Sequence, residues 1–195
     1  MTRVRDATTK DGASIAYVVY GSGPPLLFAR PLLRAAVDED LEAQFDPVLP
    51  LLAETRSVVF WDYRGSGMSD GVPPQYTLES AVLDMRAVAD ALGTERYDLL
   101  AQLTPCDTAL AFAAWHPERV RRLVLRNPSN RGSPRMTTLR DLPEISTSHF
   151  PEYIRLAALH IFGWDLARVA KRWERDMLRR FDAESWHRLM DEMEA

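Results

Sequence analysis

Four short runs decide what this chain can fold into. "LLFA" (Leu26 to Ala29), "SVVFWDY" (Ser57 to Tyr63) and "YDLLA" (Tyr97 to Ala101) are apolar over consecutive residues, and "VRRLVL" (Val120 to Leu125) is read as a fourth buried strand. A strand that faces water on one side alternates polar with apolar residues; one without that alternation is buried on both faces. Helices separate these runs. In Thr77 to Leu92, the residues Leu78, Val82, Met85, Ala89 and Leu92 fall at i, i+4, i+7, i+11 and i+14 and make one apolar stripe. Thr77 is placed to cap its start, Glu79 suits the positive end of the helix dipole, and Gly93 stands where a C-terminal cap belongs. A second helix is predicted over Pro105 to Trp115. Strands and helices in alternation predict an α/β fold, a mostly parallel sheet covered by helices on both faces.

The flanks are read less directly. Val4 to Thr9 and Ser14 to Tyr20 are β-prone and meet at Asp11-Gly12, a hairpin signal. "GSGPP" (Gly21 to Pro25) breaks the chain, and Asp38 to Glu54 is read as helical, interrupted by Pro47 and Pro50. From Asn127 the texture changes. "NPSNRGSPRM" is loop, and the rest is helical and rich in aromatics and methionine, with Leu166, Ala170, Trp173, Met177 and Phe181 on one stripe. The organisation expected is a sheet region over 1–128 and a helical segment over 129–195.

Composition narrows the partners. A net charge of -4 over 195 residues gives no electrostatic reason to expect nucleic acid or an anionic membrane. The lone Cys106 rules out an internal disulfide and fits a reducing compartment. "MTRVRDATTKDGASIAY" lacks the apolar core of a signal peptide, and no apolar run is long enough to span a bilayer. A cytoplasmic protein is expected. No motif calls for a cofactor. Glu184 and His187 have the i, i+3 spacing of a metal-ligand pair but lack partners, so a solvated helix face is the plainer reading and no metal site is expected.

In open parallel sheets, ligands bind outside the carboxyl ends of the strands. The turn after "SVVFW" reads "DYRGSGMSD" (Asp62 to Asp70), of the form D-x-R-G-x-G-x-S-D. With "YGSGPPLLF" before it and "LESAVLDMRAVADALGTERYDLL" and "HPERVRRLVLRNP" after it, the chain resembles the α/β-hydrolase superfamily from about Lys10 to Pro128. The resemblance implies that 1–128 is the N-terminal part of that core, that 129–195 begins its cap, and that the final strands are absent. It also implies that the "DYRGSG" loop is structural. Catalytic members carry His-Gly after the third strand, and those positions fall here on Arg30 and Pro31. Arg30 is read either as a group for a ligand carboxylate or phosphate or as a surface arginine paired with Asp38 or Glu39.

Catalytic members also place a serine on a G-x-S-x-G elbow between a strand and a helix. Counting ten residues on from Gly93, or thirteen back from His116, both lead to Leu103. Leucine cannot attack a carbonyl, and Ala101 and Pro105 stand where the elbow wants glycine. Thr104 and Cys106 are the neighbouring candidates for a nucleophile. Read without chemistry, Thr104 is an N-cap, Pro105 the first helical residue, and Asp107 completes a capping box. The triad histidine and acid would lie beyond the cap, and His116, His149, His160 and His187 are placed as structural or surface residues.

These departures are similar to hydrolase-like domains fused to bacterial nucleotide cyclases or helix-turn-helix regulators, which implies a regulatory setting. The reading that follows is a catalytically silent domain that binds a small apolar or acidic molecule or a protein partner, with Arg30, Leu103, Thr104 and Trp164 at the contact region. Trp164 and its neighbours Trp173, Met177, Phe181, Trp186 and Met190 either line a pocket or pack helices. Two alternatives stand beside it. One is a hydrolase of the superfamily with a non-standard nucleophile or completed by another chain. The other is a structural or interaction module whose sheet edge and cap form the interface of a homo-oligomer.

Overall fold

The computed structural model describes residues 3–30, 48–69, 77–128, 147–162 and 167–194. The chain divides into two compact units, Met1–Ser129 and Asn130–Ala195.

In the first unit, β1 (Arg5–Thr8) and β2 (Ser14–Tyr20) form the expected hairpin, with Arg5 opposite Tyr17 and Thr8 opposite Ser14. β3 (Pro25–Ala29), α1 (Val48–Ala53), β4 (Ser57–Trp61), α2 (Leu78–Ala91), β5 (Tyr97–Gln102), α3 (Pro105–Trp115), a 3-10 turn (Pro117–Arg119) and β6 (Val120–Arg126) follow. They build a six-stranded sheet in the order β1-β2-β4-β3-β5-β6. β4, β3, β5 and β6 are parallel neighbours, and β2 joins β4 antiparallel. Of the helix read over Asp38 to Glu54, Val48–Ala53 is observed; 31–47 lies outside the described residues.

The continuous apolar runs are buried on both faces, as their lack of alternation requires. On one face Ile15, Leu27, Val59 and Leu99 pack with Met85 and Val88 of α2 and Phe112 of α3. On the other, Val18, Phe28, Val58 and Phe60 pack with Leu49 of α1. Each such side chain removed from water contributes about 1.5–3 kcal/mol before the entropy of ordering it is subtracted. α2 begins where Thr77 places it. The Ser80 N–H donates to Thr77 Oγ1 at 3.2 Å, and the Thr77 N–H donates back to Ser80 Oγ at 3.0 Å. Val82, Met85 and Ala89 of the predicted stripe are buried, whereas Leu78, in the first turn, stands clear of the core.

β4 stops two residues before the predicted Tyr63 because the "DYRGSGMS" loop takes over its hydrogen bonding. The Asp62 carboxylate accepts the Met68 N–H at 2.8 Å. Ser69 Oγ donates to Asp62 O at 2.5 Å and accepts the Ala16 N–H at 2.8 Å, which ties the loop to β2. Gly67 has φ +54, and a Cβ there would overlap the Asp62 carboxylate, so glycine is required on both counts. Arg64 is buried and bridges two elements. Its Nε and backbone N–H donate to the Asp84 carboxylate at 2.8 and 2.9 Å, and its Nη1 lies 2.6 Å from Asp11 in the hairpin turn. Asp84, on α2, is fully buried, and that burial pushes its carboxyl up against the pull of Arg64.

β6 corrects the expectation of a buried strand. Arg121, Arg122, Val124 and Arg126 are exposed, because among the described residues β6 pairs only with β5. A register shift at Tyr97/Asp98 sets Val120 opposite Tyr97 and Arg122 opposite Asp98, leaving Arg121 as the extra residue. Asp98 consequently meets Arg56 at 2.7 Å, Arg121 at 2.9 Å and Arg122 at 4.0 Å.

The second unit holds α4 (Phe150–Phe162), α5 (Ala167–Arg180) and α6 (Ala183–Glu194). Trp186 is its centre, with ring centroids of Phe150, Tyr153, Trp173 and Phe181 at 6.2, 6.2, 6.3 and 5.7 Å. Ala170, Trp173 and Met177 of the predicted stripe are buried, so within this unit these side chains pack helices.

The bridge at Arg64 has a pH signature. Arg64 and then Thr9 hold the Asp11 carboxyl at about 2, below its ordinary 3.8. A depressed carboxyl stabilises above its unfolded value and loses that contribution as pH falls through the folded one. Thermal denaturation of the wild type and Asp11→Asn should show a gap in Tm at pH 6 that narrows between pH 4 and 2. A gap that persists unchanged to pH 2 would show that the charge of Asp11 plays no part.

Candidate functional site

The parallel strands β3, β4, β5 and β6 end on the same side of the sheet, which brings the turns after them together. Arg30 follows β3, Asp62 follows β4, Leu103 follows β5 and Asn127 follows β6. Ala29 lies opposite Ala101, so the turn after β3 and the turn after β5 spring from adjacent strand ends.

Leu103 has φ +62. A bulky side chain rarely adopts this left-handed conformation, which crowds Cβ against its own backbone at a cost of about 1–2 kcal/mol. The neighbouring bonds hold it there. The Leu103 N–H donates to Arg126 O at 3.1 Å, and the Cys106 and Asp107 N–H groups donate to the Leu103 and Thr104 carbonyls at 3.1 and 3.2 Å. A strand that enters a helix through one left-handed residue is the geometry of a nucleophile elbow. The turn therefore keeps the shape that presents a nucleophile and carries an alkyl group in its place.

This shape overturns the reading of Thr104 as an N-cap. With φ -54 and ψ -41 Thr104 is already helical, and its side chain makes no capping hydrogen bond. An N-cap needs extended backbone for its oxygen to reach forward. The left-handed turn at Leu103 uses up the change of direction one residue earlier, so the capping box with Asp107 does not form. None of the backbone hydrogen bonds of this turn uses the Thr104 N–H. That group, next after the elbow residue, is the donor that an oxyanion or a polarised carbonyl oxygen would take.

Cys106 is fully buried beneath the elbow, its Sγ 3.9 Å from Arg126 O. Burial pushes its thiol up, and Asp107 beside it adds to that, so the thiolate needed for attack is disfavoured. Thr104 is half-buried, and His116, the histidine of the first unit's described residues, is engaged elsewhere. His116 stacks on Phe112 at 5.0 Å and sits 3.9 Å from Glu118, His149 is exposed, and His187 Nδ1 contacts Ala183 O at 2.5 Å. Glu184 pairs with Arg188 at 3.2 Å, in keeping with a solvated face. No metal-ligating cluster occurs among the described residues.

Arg30 is 7% exposed, so it is buried, and the partners of the plainer reading, Asp38 and Glu39, lie outside the described residues. Its guanidinium lies 4.9 Å from the centroid of Phe60, and Phe60 in turn contacts Phe28 at 5.3 Å and Tyr20 at 5.7 Å. This aromatic floor was not singled out from sequence. Its signal was the pleat, since Phe28 and Arg30 share one face of β3 at a spacing of two. Pro31 and Trp164 lie outside the described residues, as do Asp38 and Glu39.

Comparison with known proteins places this geometry. A family model described as the alpha/beta hydrolase fold matches residues 39–193. The chain belongs to the α/β-hydrolase family. A relative from Caulobacter vibrioides that is named as a carbamate hydrolase is 35% identical over 89 residues, 45% of this chain and 33% of its own length. The 2-hydroxymuconate semialdehyde hydrolase of a Pseudomonas species is 43% identical over 79 residues, 40% of this chain and 28% of that protein. The chain thus spans about a third of the length of the relatives it matches. Among solved structures, the enol-lactonase from Burkholderia xenovorans covers 98% of this chain, with 74% of its own length covered, a TM-score of 0.75 and 20% identity, a likeness of fold. Members of the α/β-hydrolase family named here are hydrolases; this member has leucine at the elbow. No helix among the described residues is long and apolar enough to cross a membrane.

Two measurements follow from the elbow. Leu103→Asn, a side chain that tolerates the left-handed region, should stabilise the protein by about 1 kcal/mol and raise Tm by roughly 2–4 °C; a drop would show that contacts of the leucine outweigh its strain. Cys106 should resist iodoacetamide in the native protein and react on unfolding in urea, with the rate of alkylation as the readout.

Proposed function

We propose that this α/β-hydrolase family member binds a small carbonyl compound at the carboxyl ends of its strands without forming an acyl-enzyme at residue 103. One observation carries the reading: the elbow keeps its left-handed geometry with a leucine where the attacking group belongs. A leucine there offers an apolar contact, and the neighbouring Thr104 N–H offers a donor to a carbonyl oxygen. Binding without turnover fits a sensor, and the regulatory setting implied by the sequence resemblance belongs to the same proposal, as does a cytoplasmic location. The helical unit then serves as the cap of the fold.

The second reading is an enzyme, a hydrolase whose attacking group lies elsewhere in the protein or on another chain. The names of the relatives, a carbamate hydrolase and a semialdehyde hydrolase, support it, and on the comparisons alone it is the better supported of the two. The elbow supports the first, because among the described residues of the first unit no base sits beside Thr104 or the buried Cys106 to activate it.

One experiment separates them. The full chain is exposed to a fluorophosphonate probe and to a panel of short esters, lactones and carbamates, with turnover and thermal shift measured side by side. Binding predicts a rise in Tm for some members of the panel, no covalent labelling and no product. Hydrolysis of any member, in wild type and in Cys106→Ser alike, would overturn the binding reading and establish the enzyme.

A further inference from the structure

The outer face of α5 carries a row of positive charge. Ala167–Arg180 sets six cationic residues against the two acids Glu174 and Asp176, in a chain whose net charge is -4. At about 3.6 residues per turn, Arg168, Lys171, Arg175 and Arg179 fall within roughly 80° of arc and rise over roughly 16 Å. All four are exposed. Ala170, Trp173 and Met177 are buried on the opposite side, where Trp173 meets Trp186 of α6.

Elsewhere in this unit opposite charges meet. Glu174 turns to Arg155 of α4 at 3.1 Å, and Glu184 takes Arg188 at 3.2 Å. Among the described residues, the four cations of the row have no such partner. Like charges at i, i+3 and i, i+4 repel, so the row weakens the helix that carries it. A helix face that only meets water mixes its signs and gains by doing so. A face of one sign is tolerated because the opposite face is packed, and it attracts whatever negative surface meets it.

We propose that this row docks an acidic helical segment of a partner protein, one with carboxylates at i, i+3, i+7 and i+11. The interaction is independent of the ligand binding proposed at the strand ends. Three features select this occupant. The row repeats with the turn of a helix, about 5.4 Å, which is the spacing of carboxylates on one face of a second helix. Leu178, exposed on the flank of the row, offers the apolar contact that a helix interface uses. Trp173 is buried with the apolar face of α5, so this helix presents no ring for a base to stack on and no apolar stripe to a bilayer.

Two alanine-based helical peptides of identical composition serve as probes. One carries glutamates at i, i+3, i+7 and i+11; the other spreads the same four around the helix. Binding to the full chain is read by fluorescence anisotropy at low and high salt, for wild type and Lys171→Gln/Arg175→Gln. Arg5→Gln/Lys10→Gln, in the first unit, controls for net charge. Wild type should bind the one-face peptide about tenfold more tightly than its isomer, with the preference fading as salt rises. Lys171→Gln/Arg175→Gln should lose that preference while keeping its helicity and Tm, and Arg5→Gln/Lys10→Gln should retain it. No binding, equal binding of the two peptides, or a preference that survives in Lys171→Gln/Arg175→Gln would overturn the proposal. Tighter binding of duplex DNA or of phosphatidylserine vesicles would overturn it too, and would assign the row to a phosphate-bearing surface. If the double variant does not fold, Lys171→Gln and Arg175→Gln decide singly, each expected to bind the one-face peptide about threefold more weakly.

Discussion

The first unit depends on one buried arginine held between two carboxylates. Arg64 joins the hairpin turn through Asp11, the loop after β4 through its own backbone, and α2 through Asp84. Removing Asp84, the fully buried partner, would leave a charge in the interior poorly compensated, at a cost of about 3–5 kcal/mol. The effect reaches beyond the three residues. The loop fastened by Arg64 also carries Asp62, Gly67 and Ser69, whose bonds tie it to itself and to β2. β4 ends where it does because these groups claim its backbone, and that ending sets the height of the strand edge from which the candidate site is built. In this protein the most charged stretch of the core is scaffold, and the chemistry of the fold sits elsewhere.

Much of the scaffold was legible in the residues. The runs at Leu26, Ser57 and Tyr97 lack alternation because both of their faces are covered, and Thr77 starts α2 because its hydroxyl and that of Ser80 satisfy each other's backbone. The misreadings share a physical cause. Thr104-Pro105-Cys106-Asp107 satisfies every local rule for a helix start, and local rules cannot see that β5 arrives at an angle which one left-handed residue must absorb. Leucine is among the last residues that propensity would assign to that conformation, so the strain at Leu103 is imposed by topology. The burial of Arg30 was not legible, since the ring it lies against, Phe60, belongs to another strand, a relation absent from any one-dimensional pattern. β6 was read as covered because its apolar residues are those of a covered strand; its arginines carried the contrary signal.

At Leu103 the backbone keeps the shape of an elbow under a side chain that is not a nucleophile. The elbow's curvature, the donor beside it and the convergence of strand ends are properties of the backbone, and they persist whatever side chain stands at the tip. A backbone that still pays strain for a left-handed turn, with an inert residue on it, is under the constraint of position: the turn must pass there for α3 to bury Cys106 and Phe112 against the sheet. Strain at such a point is therefore evidence of architecture and does not by itself certify catalysis.

The charged rim of β6 has a consequence for how copies of this protein behave toward each other. An open strand edge is a template for any extended chain, and identical edges are the partners most often at hand in a concentrated solution. Were two copies to meet along β6, Arg121, Arg122 and Arg126 of each would be brought against their own counterparts. Asp98 neutralises part of this charge but sits inside the sheet, shared among three arginines, and is in no position to greet a neighbour. Among the described residues β6 thus carries a charged rim closed to its own likeness, a surface that resists the stacking of identical edges.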